Sequence, residues 1–136
     1  MMETIRAAYK GQLRTEAMHV QSSKSLITDA PLDNQGRGEA FSPTDLLATA
    51  LGSCMLTIMG IAGREHGFSI EGTRTSITKI MAANPRRVAE VRIELFFPPG
   101  DYCEKHKKII RQAAETCPVA LSLHPELRQT VIFNFG

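Results

Sequence analysis

The chain of 136 residues has no tryptophan, two tyrosines and six phenylalanines. It also lacks a dense basic run, and its net charge is only +2. The aromatic platforms and electrostatic footprint of a nucleic-acid-binding domain are therefore missing, and nucleic acid is not the expected partner. The one basic cluster, Lys105, Lys107, Lys108 and Arg111, reads as the solvated face of a helix. No apolar segment opens the chain, so no secretory signal is read and the expected compartment is the reducing cytoplasm. Cysteine is scarce and its count, three, is odd, which argues against a structural disulfide framework. Any disulfide here is expected to be transient and catalytic. The phosphate-loop reading fails because Gly36-Arg37-Gly38 has no Lys-Ser/Thr after it. Cys103 and His106 have no second pair of ligands, and His19, His66 and His124 show no partner spacing, so neither metal nor cofactor is expected.

What is present fits one domain, residues 1–136, with enough apolar residues for a core. Thr4–Lys10 and Leu13–Val20 flank Gly11-Gln12 and predict a hairpin. Ser25–Thr28 predicts a third short strand, and Asp29–Phe41, which holds Pro31, Asp33, Asn34, Gly36 and Gly38, an exposed loop. A long helix then starts clearly: Ser42 at the N-cap, Pro43 at N1 and Asp45 at N3 form a capping box. It should run to His66, with Gly67 as its left-handed stop. Leu47, Leu51, Cys54, Ile58 and Ile61 mark the expected core stripe, with Met55, Met59 and Ala62 beside it. Phe68–Met81 and Val88–Phe97 predict strands joined by Asn84-Pro85-Arg86-Arg87. Tyr102–Thr116 predicts a second helix broken by Pro118, followed by a short turn over Val119–Leu123 and a last strand over Gln129–Phe135. Strands and helices are segregated, so the class is α+β.

The stretch Leu46–Gly63 is uncharged over 18 residues, the edge of transmembrane length. A helix apolar all round also suits a protein interior, which is the reading adopted, with no membrane partner. Such a helix needs more cover than one small sheet provides, which predicts an intertwined homodimer.

Two cysteines sit in unlike settings. Cys54 lies midway along the long helix; Cys117 stands directly before Pro118, where the second helix breaks. A thiol on a rigid helix and a second at a helix end suit a redox couple, although free cysteine also packs as a small hydrophobe. A thiol in apolar surroundings resists ionisation, so a reactive Cys54 needs a cation. Arginine suits best, being always charged. Arg14 on the hairpin and Arg37 in the loop are the candidates; Arg64, ten residues or roughly 15 Å along the helix, is too far to serve within its own subunit. Leu51, Met55 and Ile58, with Arg37, are the candidate substrate-binding residues.

The run Phe41-Ser-Pro-Thr-Asp-Leu-Leu-Ala-Thr-Ala-Leu-Gly-Ser-Cys54 resembles the helix signature of the osmotically inducible protein C and organic hydroperoxide resistance (OsmC/Ohr) family. Ala114-Glu-Thr-Cys117-Pro-Val-Ala-Leu-Ser-Leu123, the hairpin segment Tyr9–Arg14 and the turn Asn84–Arg87 are similar to it in the same order. The resemblance implies an α+β homodimer with long central helices wrapped by antiparallel sheets. It also implies thiol-dependent reduction of hydroperoxides, especially organic ones, with an external dithiol as reductant. By the same resemblance Cys54 is the peroxidatic cysteine, Cys117 the resolving one and Arg14 the activating arginine. The better-studied reductases carry Glu directly after the proline that opens the helix. Here that position is Thr44, and Asp45, one step of 100° further round, is expected to cap the helix instead. The chain therefore resembles a less characterised branch. A hydrophobic-ligand-binding module and a redox sensor without turnover remain the alternatives on the same fold.

Overall fold

The computed structural model describes residues 2–136, which fall into two compact units, Met1–Leu46 and Leu47–Gly136. The first holds an antiparallel sheet in the order β1 (Ile5–Gly11), β2 (Arg14–His19), β3 (Ser25–Asp29). The hairpin turn falls one residue later than expected, at Gln12 and Leu13, whose φ angles are 54° and 63°. A two-residue hairpin turn of this kind needs a left-handed backbone at both central positions. Gly11 instead closes the strand opposite Arg14, after a register shift that follows Tyr9. Strand β3 also runs one residue further than expected, and its last residue, Asp29, is buried rather than exposed. One turn of 3-10 helix, Leu32–Asn34, interrupts the loop that follows.

Among this unit's described residues the buried ones are Thr28, Asp29 and Ser42, all polar. Its apolar side chains Ile5, Tyr9, Leu26 and Ile27 are exposed. A three-stranded sheet without an apolar core is marginal in water.

Helix α1 spans Pro43–His66, as its capping residues predict. Asp45 N–H donates to Ser42 Oγ at 3.1 Å, and Ser42 N–H donates back to Asp45 Oδ2 at 2.9 Å. At the far end Gly67, with φ +80°, and Phe68 both donate backbone N–H groups to the Gly63 carbonyl. The division between the units falls within the first turn of this helix.

In the second unit the buried face of α1 is Ala48, Leu51, Gly52, Met55, Met59 and Gly63. The expected stripe is thus corrected: Leu51 is core, but Leu47 and Ile61 are 36% and 47% exposed, and Cys54 and Ile58 are half-buried. In a helix apolar on every side, hydrophobic spacing does not choose the inward face. Small residues choose it here. A Cβ on Gly52 would lie 2.5 Å from Ile77 Cδ1, and one on Gly63 would lie 2.5 Å from the Phe68 carbonyl oxygen. Only glycine permits so close an approach.

That helix packs on strands β4 (Arg74–Ala82) and β5 (Arg87–Phe97), which are antiparallel. Strand β4 starts six residues later than expected, because Glu71-Gly72 turns the chain, with Gly72 at φ +88°. In β5, Val91, Ile93, Leu95 and Phe97 point into the core at every second position. Helix α2 (Glu104–Thr116) and the short α3 (Pro118–Ser122) carry the chain to β6 (Arg128–Phe135). One pair departs from the antiparallel expectation: β6 runs parallel to β5, for which a long crossover is required. The basic face of α2 is also not simply solvated. Lys107 Nζ lies 5.3 Å from the Phe135 ring centre, and Arg111 lies 5.4 Å from the same ring and 5.7 Å from Phe133. His106, expected at the surface, is half-buried against Phe68. Strands and helices are segregated throughout, so the fold is α+β.

Candidate functional site

Pro118 sets the geometry around Cys117. Proline ends α2 by removing a backbone donor, and it holds the preceding residue in an extended conformation. Cys117 accordingly has φ −64° and ψ 146°; it ends α2 and is the N-cap of α3. Its Sγ accepts the Ala120 N–H at 3.4 Å, and its side chain is fully buried. Burial pushes the Cys117 thiol above its ordinary value. A hydrogen bond with Cys54 and the charge of Cys54 push it the same way, while the Ala120 and Val119 N–H groups pull it down. Cys54 is therefore a near neighbour of Cys117, close enough to raise its thiol.

Cys54 stands at the edge of the buried face of α1, half-buried and packed against the core. The pair is thus a partly accessible thiol on a 24-residue helix and a fully enclosed thiol at a helix break. Both are free, as is Cys103, which is exposed at the N-cap of α2.

Leu51, an expected substrate contact, is completely buried in the core. Met55 is 1% exposed, yet it lines a cavity of about 320 Å³ with Arg111, Ala114, Glu115, Gln129, Val131 and Phe133. Ile58 is half-buried beside the core.

Of the two candidate arginines in the first unit, Arg37 is exposed in the loop before α1. Arg14 is more closely held. It pairs directly across from Asp29 in the β2–β3 register, its Nη2 lies 3.5 Å from Asp29 Oδ2, and the same nitrogen pairs with Glu39. Asp29 Oδ2 also accepts the Glu39 backbone N–H at 2.9 Å. Asp45, the acid nearest the expected family position, is occupied in capping α1. Sequence reasoning missed both Asp29 and Glu39 as partners of Arg14. The signal for Asp29 lay in strand length: one more residue on β3 sets it opposite the first residue of β2.

Fold and thiols together define a class: an α+β protein in which a long core helix presents one thiol to a second, buried at a helix break. The sequence model of the OsmC-like protein family matches residues 36–131. A crystal structure from Psychrobacter arcticus 273-4, of a provisionally named osmotic stress induced and detoxification response protein, is 54% identical. It covers 98% of this chain and 97% of its own, with a TM-score of 0.94. Two more distant structures share the fold. One is an organic hydroperoxide resistance protein OsmC from Legionella pneumophila, 15% identical, covering 98% of each chain, TM-score 0.77. The other, from Vibrio cholerae O1 biovar eltor str. N16961, is provisionally named an organic hydroperoxide resistance protein and holds captopril in one of its active sites. It is 17% identical and covers 98% of this chain and 93% of its own, TM-score 0.75. No curated protein matches. The chain belongs to the OsmC-like protein family.

Proposed function

We propose that this protein is a thiol-dependent hydroperoxide reductase, with Cys54 as the peroxidatic cysteine and Cys117 as the resolving one. The observation that carries the reading is the pairing of unlike thiols. Cys117 is enclosed and its thiol is raised by burial and by the neighbouring Cys54, while Cys54 is partly accessible. Organic hydroperoxides are the expected substrates, in keeping with the names of the Legionella and Vibrio structures.

The Cys54 thiolate attacks the distal peroxide oxygen and the O–O bond breaks. Cys54 becomes a sulfenic acid, and the alkoxide leaves as the alcohol after taking up a proton. The Cys117 sulfur then attacks the sulfenic sulfur, releasing water and forming the disulfide. An external dithiol reduces that disulfide by exchange and is itself oxidised to a disulfide. Arg14 supplies the positive charge that favours the thiolate, and its guanidinium matches a sulfur or peroxide oxygen better than a lysine would. Arg37 and Ile58 serve as substrate contacts in this reading.

The working form in this proposal is a homodimer, because the first unit has no apolar core of its own and α1 leaves Leu47 and Ile61 exposed. The reducing cytoplasm is its proposed compartment, consistent with three free thiols.

The test is turnover of an organic hydroperoxide with added dithiol, run in parallel with hydrogen peroxide. Many alcohols formed per protein, with faster use of the organic substrate, support the reading. One alcohol per protein and no more would mean a redox sensor. None at all, with an apolar molecule bound instead, would mean a binding module.

A further inference from the structure

The disulfide of the proposed cycle offers an incoming dithiol two sulfurs, and attack at either one expels the other cysteine. Two factors decide between them: how readily the departing sulfur leaves, and which sulfur can be reached. The first counts against expelling Cys117. Burial raises its thiol, and a sulfur of high pKa leaves slowly. The second counts the other way. Cys117 is 0% exposed, in the same core cluster as Ala114 and Ala120, whereas Cys54 is half-buried on α1.

Cys117 is also held where it is. Pro118 keeps its backbone extended, its Sγ accepts the Ala120 N–H at 3.4 Å, and Gln129 Nε2 on β6 donates to the Ala120 carbonyl at 3.0 Å, tying α3 to the sheet. All of these contacts lie within the second unit. A poorer leaving group slows exchange by a graded factor. A sulfur with no exposed surface is attacked only after the structure around it opens. Access therefore decides.

We infer that the external dithiol attacks the disulfide at the Cys54 sulfur, so that Cys54 carries the mixed disulfide and Cys117 is the leaving group. This rests on the reading that Cys54 and Cys117 form the redox couple. The bond between the reductant sulfur and Cys54 forms as the Cys54–Cys117 bond breaks. The electron pair goes to the Cys117 sulfur, which takes up the proton that the reductant's thiol gave up. The reductant's second thiol then attacks the reductant's own sulfur, closes its disulfide and releases Cys54. The sulfur that meets the peroxide is thus also the one that meets the reductant, and Cys117 exchanges bonds without leaving the core.

The experiment uses wild-type protein oxidised by one equivalent of an organic hydroperoxide. It is exposed briefly to 2-mercaptoethanol, a monothiol that forms a mixed disulfide and has no second thiol to resolve it. The reaction is quenched in acid, free thiols are capped with N-ethylmaleimide in denaturant, and peptides are mapped over a series of quench times. At the earliest times the adduct should sit on Cys54 in at least about tenfold excess over Cys117, with maleimide on Cys117. Oxidised protein unfolded in urea before the thiol is added should carry the adduct on both cysteines. In a second measurement, N-ethylmaleimide added to reduced native protein should label Cys103 and Cys54 and spare Cys117. As much adduct on Cys117 as on Cys54 in the native protein would overturn the inference, as would native labelling of Cys117 as fast as Cys54. A native excess that persists unchanged in urea would overturn it too, since access would not be its cause. If the hydroperoxide forms no Cys54–Cys117 disulfide, the redox couple itself fails, and that is read before any thiol is added.

Discussion

Burial raises the Cys117 thiol, and that has a consequence for stability. Its folded-state value is raised, so below the ordinary thiol value of 9.0 both folded and unfolded chains keep the proton. Above it the unfolded chain releases a proton that the folded chain retains, so stability falls as pH rises through and beyond about 9. Tyr102, whose phenol is also raised by burial, acts with the same sign above its ordinary 10.0. Urea midpoints of the reduced protein should therefore drop across this range, and Cys117→Ala should flatten the drop between the two values. A midpoint that rises with pH there would contradict the assignment. Reactivity divides the three thiols differently. Cys103 is exposed and distinct from the pair, so Cys103→Ser should turn over hydroperoxide near the wild-type rate while Cys54→Ser loses activity entirely. A steady-state assay of the two variants checks this. The cysteines were legible in the sequence because each sits beside a strong helix signal, Cys54 within a well-capped helix and Cys117 against a proline. The acids around Arg14 were not, because a cross-strand pair depends on a register that one residue of strand length decides.

Helix α1 shows the same contrast at the scale of the element. Its ends were readable to the residue, since Ser42, Asp45 and Gly67 bond terminal backbone groups in a specific way and Pro43 removes one orphaned donor. Its inward face was not, because nearly every position is apolar and the choice falls to Gly52 and Gly63. These two glycines differ in what they face. A methyl at Gly52 meets the tip of the Ile77 side chain, which can turn away; one at Gly63 meets the Phe68 carbonyl oxygen, which is main chain. Alanine gains about 1 kcal/mol of helix propensity at either site. Overpacking costs about 1–3 kcal/mol. Gly52→Ala should therefore be near neutral and Gly63→Ala should lower stability by roughly 2 kcal/mol, read from urea unfolding. Equal effects would mean that the approach at Gly63 is not what fixes the helix. The direction of β6 was likewise hidden, because period-two alternation is the same in parallel and antiparallel strands; only the crossover through α2 and α3 reveals it.

At the scale of the whole molecule, the sequence pattern specified the α+β class, because strands and helices come in separate blocks. The proposal of a second copy rests on what is left uncovered. Ile5, Tyr9, Leu26 and Ile27 in the first unit and Leu47 and Ile61 on α1 are large apolar side chains left exposed, which a second copy would cover. The proposed dimer should then be obligate, with an unfolding temperature that rises with protein concentration. Sedimentation of a stable folded monomer at low concentration would contradict it. The central claim, that Cys54 and Cys117 form one peroxide-reducing couple, is tested most directly by a single oxidation. Reduced protein is given one equivalent of an organic hydroperoxide, and its peptides are mapped without reductant. The account predicts one equivalent of alcohol, a Cys54–Cys117 disulfide within each chain and Cys103 left free. A bridge through Cys103, or unchanged thiols in the presence of the hydroperoxide, would contradict it.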